Sequence, residues 1–590
     1  MKLGIAGGLT RAFINSPLTP LFLLAAFALG LVALVTLPRE EEPQISVPMV
    51  DIRVSANGLK AEDAEKLVTE PLETIVKSID GVEHVYSQTE DDGVLVTARF
   101  KVGTSSDAAV LRVHDKVRAN MDRIPVGIPE PQIVGRGIDD VAIVVVNVSP
   151  KPETAGRWTS EGLTRVAREL QVELAKLPDI GLTYIVGEQP EQFRVEPNGE
   201  KLSLYGITLA QLQGKIAGAN RSFAVGRVRD DGEQRSLVAG QTLQQLADIG
   251  NLVLTARDGR PVYVRDVADI VLATSPNETR VATVERSADG LVRVPTVSLA
   301  LAKRPGTNAV VIAEAITERL EAVRGGIVPE DLTLTITRNY GESANEKANE
   351  LLFHLGLATV SIVVLVAIAI GWREAAVVAL VIPTTILLTL FAARLMGYTL
   401  NRVSLFALIF SIGILVDDAI VVIENIARHW AMKDGRSRSQ AAIDAVAEVG
   451  NPTIVATLTV VAALLPMLFV SGMMGPYMSP IPANASAAML FSFFVAVILT
   501  PWLMLRFSPK DAAHGHAHEH EAADGGRLGR IYRAVARPIL ASRTRSWLFL
   551  IIVGAATFAS MGLIYTKHVT VKLLPFDNKS ELQVVLDLPR

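Results

Sequence analysis

The chain has 590 residues, 49% of them hydrophobic and 20% charged, with 57 basic and 61 acidic side chains, a net charge of -4 and no cysteine. That composition excludes disulfide and thiolate chemistry and offers no basic block with interleaved aromatics to hold a nucleic acid. At a mean hydropathy of +0.34 the chain is too apolar for a soluble protein of its size, and long apolar runs beside a large charged block predict an α+β membrane protein.

Residues 1–16 carry Lys2 and Arg11, and an apolar run of spanning length follows over 17–37. The run is too long for the core of a signal peptide, lacks a small-x-small cleavage site, and is followed at once by PREEE at 38–42. An uncleaved first span is predicted, with basic residues and the N-terminus in the cytoplasm and the acids outside.

From residue 43 to about 340 no run is long enough to cross a bilayer, so this block lies outside the membrane. Residues 47–54 (VPMVDIRV) read as a strand. Residues 60–78 read as an amphipathic helix with Ala64, Leu67, Val68, Leu72, Ile75 and Val76 on one side. Strands over 82–88 and 93–102 are joined by the acidic turn Glu90, Asp91, Asp92, and a helix covers 106–121. That is β-α-β-β-α, most of a split-βαβ unit. The rhythm returns with a strand at 141–148, a helix at 160–177, a strand at 182–187, a weaker strand at 201–205 and a helix at 209–219. Residues 221–270, rich in Gly, Asp and Arg, read as short hairpins of an inserted subdomain. Strand-like sequence at 273–298, a helix at 308–323 and a strand at 332–339 complete a unit opened earlier. Two such units facing each other leave a cleft suited to an amphiphile. No nucleophile triad, HExxH or paired-cysteine signature is present in this block.

Further spans are predicted at about 351–370, 374–396, 403–426, 452–473, 484–505 and 546–565, seven in all. The segments that would lie inside hold Arg373, then Arg428, Lys433, Arg436 and Arg438, then a basic set from Lys510 to Arg545, as the positive-inside bias requires. Residue 566 onward returns outside and begins a strand-like run, ELQVVLDLP. Because this repeats the pattern after the first span, the chain is expected to be about half of a longer polypeptide, or a short form that pairs with another subunit.

The chemistry concentrates in residues 401–426, NRVSLFALIFSIGILVDDAIVVIENI, where Asp417 and Asp418 sit in the middle of an apolar span. A carboxylate at that depth costs several kcal/mol if charged and unpaired. The pair either is satisfied structurally inside a bundle or takes up and releases a proton or cation, titrating as a unit. Glu424 and Asn425 follow seven residues on, two helical turns along the same faces. Glu424 is an accessory relay or an interfacial acid, and Asn425 an interhelical hydrogen-bond partner. Thr457 and Thr459 are weaker candidates for the same seam, and Gly413 and Pro383 permit close approach or a kink. Arg394, Arg402 and Lys347 lie toward span ends, so the counter-charge is expected from outside this sequence.

His514, His516, His518 and His520 alternate with Gly, Ala and Glu after the sixth span. They fit a flexible cytoplasmic linker, or a weak metal site. Residues 528–540 alternate apolar and basic residues at helical spacing and are expected to lie in the inner interface plane.

GILVDDAIVVIENI at 413–426 closely resembles the fourth-helix motif of the resistance–nodulation–division (RND) efflux permeases, best matching their hydrophobe and amphiphile (multidrug) branch. REEEPQI at 39–45 and NPTIVATLTVVAALLPMLFVSGMMG at 451–475 carry the same resemblance. It implies the N-terminal half of a bacterial inner-membrane permease that works as a homotrimer with a periplasmic membrane-fusion adaptor and an outer-membrane channel. It implies proton antiport through Asp417 and Asp418, paired with a lysine of the other half, with no cofactor beyond the coupling proton, and export of amphiphiles in antibiotic resistance. Its domain plan places the N-terminal segment and first helix at 1–38, and a first porter subdomain of ferredoxin-like units at 39–135. A second porter subdomain spans 136–335 with a docking subdomain inserted at about 185–272. Helices two to six cover 336–508, a linker with its interfacial helix 509–545, the seventh helix 546–566, and the start of a second periplasmic domain 567–590. Two features depart from the pattern: no phenylalanine lies between Phe100 and Phe193, and the histidine tail hints at metal. Heavy-metal or cation efflux on the same scaffold, and a secretion-assisting role without transport, are the alternatives.

Overall fold

The computed structural model describes residues 3–569 together with 582, 584 and 586, except 44, 46, 258, 275–279, 288–289, 433, 473 and 508–525. The four histidines of the linker, and most of the run after residue 569, therefore lie outside the described residues. Two units are resolved by contact, Met1–Phe507 and Ser508–Arg590.

In the first unit, α1 (Gly4–Phe13) and α2 (Leu18–Thr36) lead into a block of sheets and helices. There β1 (Met49–Ser55) is followed by a helical segment that ends in α3 (Glu70–Lys77), then by β2 (Val82–Glu90), β3 (Gly93–Phe100), α4 (Ser106–Arg118) and β4 (Gln132–Arg136). The sheet order is β2-β3-β1-β4 with every neighbour antiparallel. Alternation puts Val94, Val96, Ala98 and Phe100 of β3 beneath the helices, where they meet Val68, Leu72, Ile75 and Val113. The helix before α3 contains a π-helical turn, Glu65–Thr69. The extra residue rotates the face, so Leu67, expected inside, is 44% exposed.

The second sheet follows the same plan. Its strands are β5 (Val144–Pro150), β6 (Ile180–Val186), β14 (Gly290–Lys303) and β15 (Leu332–Asn339), in the order β6-β14-β5-β15, with β13 (Val281–Ser287) extending along β14. Helices α5 (Ser160–Leu174) and α8 (Ala309–Ala322), capped by Thr159 and Asn308, bury Leu163, Leu170, Ile312 and Ile316 against Val144, Val146 and Val148.

Between β6 and β13 the chain builds a block with its own core around Leu202, Leu212, Ile249, Val264 and Val267. It contains β7 (Glu191–Pro197), α6 (Gly199–Tyr205), α7 (Leu209–Ala219), the hairpin of β8 (Arg221–Asp230) and β9 (Glu233–Gln241), the pair β10 (Val253–Arg257) and β11 (Arg260–Tyr263), and β12 (Ala268–Thr274). β12 pairs with β7 and closes the block. Residues 201–205, expected as a strand, are helical. Asn198 Oδ1 accepts from Lys201 N at 3.1 Å, and Gly206 ends the turn at φ +66°. An N-cap and a left-handed C-cap eight residues apart outweigh the strand propensity of KLSLY.

The apolar part of this unit comprises α9 (Tyr340–Ala369), α10 (Trp372–Leu395), α11 (Arg402–Ala431), α12 (Arg438–Leu464) and α13 (Pro480–Phe507). Its core gathers Ile382, Leu390, Val416, Ala419, Ile423, Val446, Ala496 and Leu503. Among the described residues, seven helices are long and apolar enough to cross a membrane. Helices α9 and α12 begin well before the apolar windows at 351 and 452, because capping by Asn339 and Ser437 starts them on polar sequence. In the second unit α14 (Gly526–Leu540) precedes α15 (Arg543–Tyr565).

Candidate functional site

The site is carried by α11. Asn401 caps it reciprocally with Ser404: Ser404 N donates to Asn401 Oδ1 and Asn401 N to Ser404 Oγ, both at 2.9 Å. From Arg402 to Asp417 is about 22 Å of helix and from Asp418 to Ala431 about 20 Å, so the acids are central in a 30-residue rod. Successive residues diverge by about 100°, and the two aspartates part accordingly. Asp418 turns into the bundle and is 9% exposed, while Asp417 is on the open face.

Asp418 Oδ2 has no hydrogen-bond partner among the described residues. Beside its carboxyl is Ser492 of α13, whose hydroxyl donates to the Leu415 carbonyl at 2.6 Å. A hydroxyl has one proton to give, so Ser492 cannot donate there and to an ionised Asp418 at once. Ser492 was not among the sequence candidates; a polar residue within the apolar run FSFFVAV was the available signal.

The i+7 geometry holds on both faces. Asn425 is buried like Asp418 and Glu424 exposed like Asp417. Asn425 Nδ2 donates to the Ala445 carbonyl of α12 at 2.8 Å and its Oδ1 accepts from Arg428. Arg428 and His429 both reach Glu448 at 2.7 Å, tying the C-terminal end of α11 to the middle of α12. Thr457 is buried with an unpartnered hydroxyl among the described residues. Thr459 is exposed and spends its hydroxyl on the Val455 carbonyl of its own turn, so the structure does not bring it to the aspartates.

Cations near the helix ends have partners of their own. Arg402 pairs with Glu42 at 2.8 Å, Lys347 with Glu350 at 3.1 Å, and Arg394 contacts Thr36. The open face of α11 is a stripe of Phe406, Phe410, Gly413, Asp417, Val421 and Glu424. A Cβ at Gly413 would meet nothing within 4 Å, whereas Gly30 of α2 lies against Leu387 of α10 and Gly450 against Ala6. Close approach therefore falls on α2–α10 and α1–α12. A cavity of about 370 Å³ is lined by Tyr205, Ile207, Gln211, Lys215 and Leu254 in the inserted block, away from α11. Among the described residues no group of three His, Cys, Asp or Glu side chains is placed to hold a metal ion.

Membrane-length helices joined to a body of sheets and helices, with a carboxylate pair at mid-helix, are the build of a multi-pass membrane permease. The family model of AcrB/AcrD/AcrF matches residues 9–590, and the chain belongs to that family of RND efflux transporters.

Proposed function

We propose that the chain is the proton-driven part of an efflux pump for amphiphilic or hydrophobic compounds, exchanging protons at Asp417 and Asp418 for substrate taken up outside the inner membrane. The observation that supports this most is Asp418: buried at the centre of a membrane-length helix, with an oxygen left unpartnered among the described residues. Such a group is costly as an ion and cheap as an acid, which is what a proton carrier requires. Asp417 lies on the open face, where a cation can reach it, and Glu424, two turns further in, relays protons toward the cytoplasm. The external sheets act as porter subdomains of ferredoxin-like units within the domain bounds given above, and the inserted block docks partners. All seven apolar helices cross the bilayer, with the N-terminus inside. The working assembly is a homotrimer with a periplasmic adaptor and an outer-membrane channel.

The test is dye efflux and proton flux by the intact transporter in vesicles carrying Asp417→Asn or Asp418→Asn. Membrane insertion with loss of both fluxes supports the proposal. Normal ethidium efflux from both variants sinks it, and growth protection confined to metal salts moves the substrate to cations.

A further inference from the structure

Where α2 ends, residues 38–40 run beside the connection from α10 to α11. Glu40 N donates to the Leu400 carbonyl at 3.1 Å and Leu400 N to the Pro38 carbonyl at 2.8 Å. The Glu40 side chain turns inward. Its Oε2 accepts from Thr399 Oγ1 at 3.0 Å, and its Oε1 lies 3.0 Å from Lys303 Nζ. Both side chains are nearly sealed from solvent, at 5% and 3% exposure.

Lys303 is the last residue of β14, the strand flanked by β5 on one side and β6 on the other. Thr399 Oγ1 in turn accepts from Asn401 Nδ2 at 3.0 Å, and Asn401 caps α11. An unbroken polar chain therefore runs from the middle of the second sheet to the root of the helix that holds Asp417 and Asp418.

A further carboxylate, half-buried, lies within reach of the same lysine's charge. Asp139 belongs to the short helical turn Ile138–Asp140 between β4 and β5, where the first sheet hands over to the second. Its Oδ1 is buried without a hydrogen-bond partner among the described residues. Burial pushes its carboxyl above the ordinary range, the Lys303 charge pulls it back, and Asp140 adds to the rise. The Lys303 charge thus acts on Asp139 as well as on Glu40. Its contact with Glu40 is close but poorly aimed, since neither Nζ nor Oε1 makes a hydrogen bond among the described residues.

Stability alone is a weak reason for such a pair. Burying two charges costs as much as their attraction returns, and well-packed apolar side chains of the same volume hold a junction at least as firmly. What an ion pair adds is a directional, breakable link. We propose that Lys303 is a positioning residue of the transport cycle, coupling the second sheet to the root of α11 through Glu40 and Thr399. The inference rests on the proton-driven reading above and gives it a mechanical path.

The experiment uses the intact transporter in detergent and reads amide hydrogen exchange in β14. Asp418→Asn, which mimics the protonated acid, is made in the native background and in the apolar replacement Glu40→Leu/Lys303→Met. The expected result is at least a threefold change in exchange at the Lys303 end of β14 in the native background and none in the replacement. The replacement keeps its thermal stability but loses ethidium efflux, and the charge-swapped Glu40→Lys/Lys303→Glu regains part of it. A replacement that pumps ethidium at the native rate, or that still passes the exchange response to β14, overturns the proposal. Loss of efflux in Asp418→Asn together with an unresponsive β14 overturns this link while leaving proton drive intact. Normal efflux in both Asp417→Asn and Asp418→Asn removes proton drive and this link with it.

Discussion

Glu173 of α5 and Asp418 of α11 are both buried carboxylates, and their surroundings are opposite. Glu173 holds two cations, Lys176 in the turn just after its helix and Arg319 of α8. Asp418 has a serine at its side and an oxygen with no hydrogen-bond partner among the described residues. The external sheets spend their charges on holding elements together, as Asp51 does with Arg136 at 3.0 Å and Thr97 at 2.8 Å. The apolar bundle leaves an oxygen of its central carboxyl without a hydrogen-bond partner among the described residues. A paired carboxylate is fixed in one state by its partner, whereas one without a counter-charge stays free to change state.

The largest effect should come from replacing the Asp418 carboxyl. Asp418→Asn keeps the shape of the side chain and lets Ser492 keep its bond to Leu415. Transport is expected to fall by about 100-fold or more, as for loss of an essential proton-transfer group, with unchanged membrane yield. Glu173→Gln is expected to leave the transport rate near native. Equal loss in the two variants, measured as dye efflux per inserted molecule, would erase the contrast between them.

The two faces of the bundle can be compared through glycine. A Cβ on Gly30 would lie 2.2 Å from Leu387 Cβ, so Gly30→Ala forces α2 away from α10 and is expected to destabilise by about 2 kcal/mol. Gly413→Ala meets open space on the Asp417 face and should change stability by less than about 1 kcal/mol, in the favourable direction for a helix interior. Thermal unfolding in detergent measures both. If Gly413→Leu abolishes transport while the fold survives, the open face is covered in the working assembly.

Much of this contrast was legible in the sequence. An acid pair inside NRVSLFALIFSIGILVDDAIVVIENI can only be a mid-helix pair, and its i+7 echo at Glu424 and Asn425 fixes which acid shares a face with which. Strand-like runs at 93–102, 141–148 and 332–339, with helical runs at 106–121, 160–177 and 308–323 between them, marked both sheets. What escaped was whatever depends on partners far along the chain. Ser492 is 74 residues from Asp418, and Lys303 is 263 from Glu40; no local pattern joins them. The π-helical turn at Glu65–Thr69 escaped because it inserts a residue without changing composition. The helix at Gly199–Tyr205 was misread because its caps lie just outside the KLSLY window.

A smaller effect is expected where the two regions meet. Asn401→Ala removes the side-chain acceptor for Ser404 N and the donor to Thr399. Loss of an N-cap costs about 1 kcal/mol, and the fraying should appear as faster amide exchange in the first turn of α11 without unfolding the sheets. If α11 exchange is unchanged, packing against α13 rather than the cap holds its root.

The smallest effect is a change of slope with pH in the external region. Hydrogen bonds from Lys176 and Arg319 hold the Glu173 carboxyl below its ordinary value. Between the folded and unfolded values the unfolded chain binds more protons, so stability rises with pH there. The Glu173 contribution is complete above the unfolded value near 4.5 and fades as pH falls through the depressed folded one. Asp139 has the opposite sign: its raised value gives a contribution that is present at low pH and lost as pH rises through it. Glu173→Gln should therefore flatten the acid limb of α5 protection, measured by hydrogen exchange from about pH 7 downward, and Asp139→Asn should leave that limb in place while making protection at higher pH less dependent on pH. Were Glu173→Gln to leave the acid limb as steep as before, the two cations would not be acting on that carboxylate, and the contrast with Asp418 would lose its paired member.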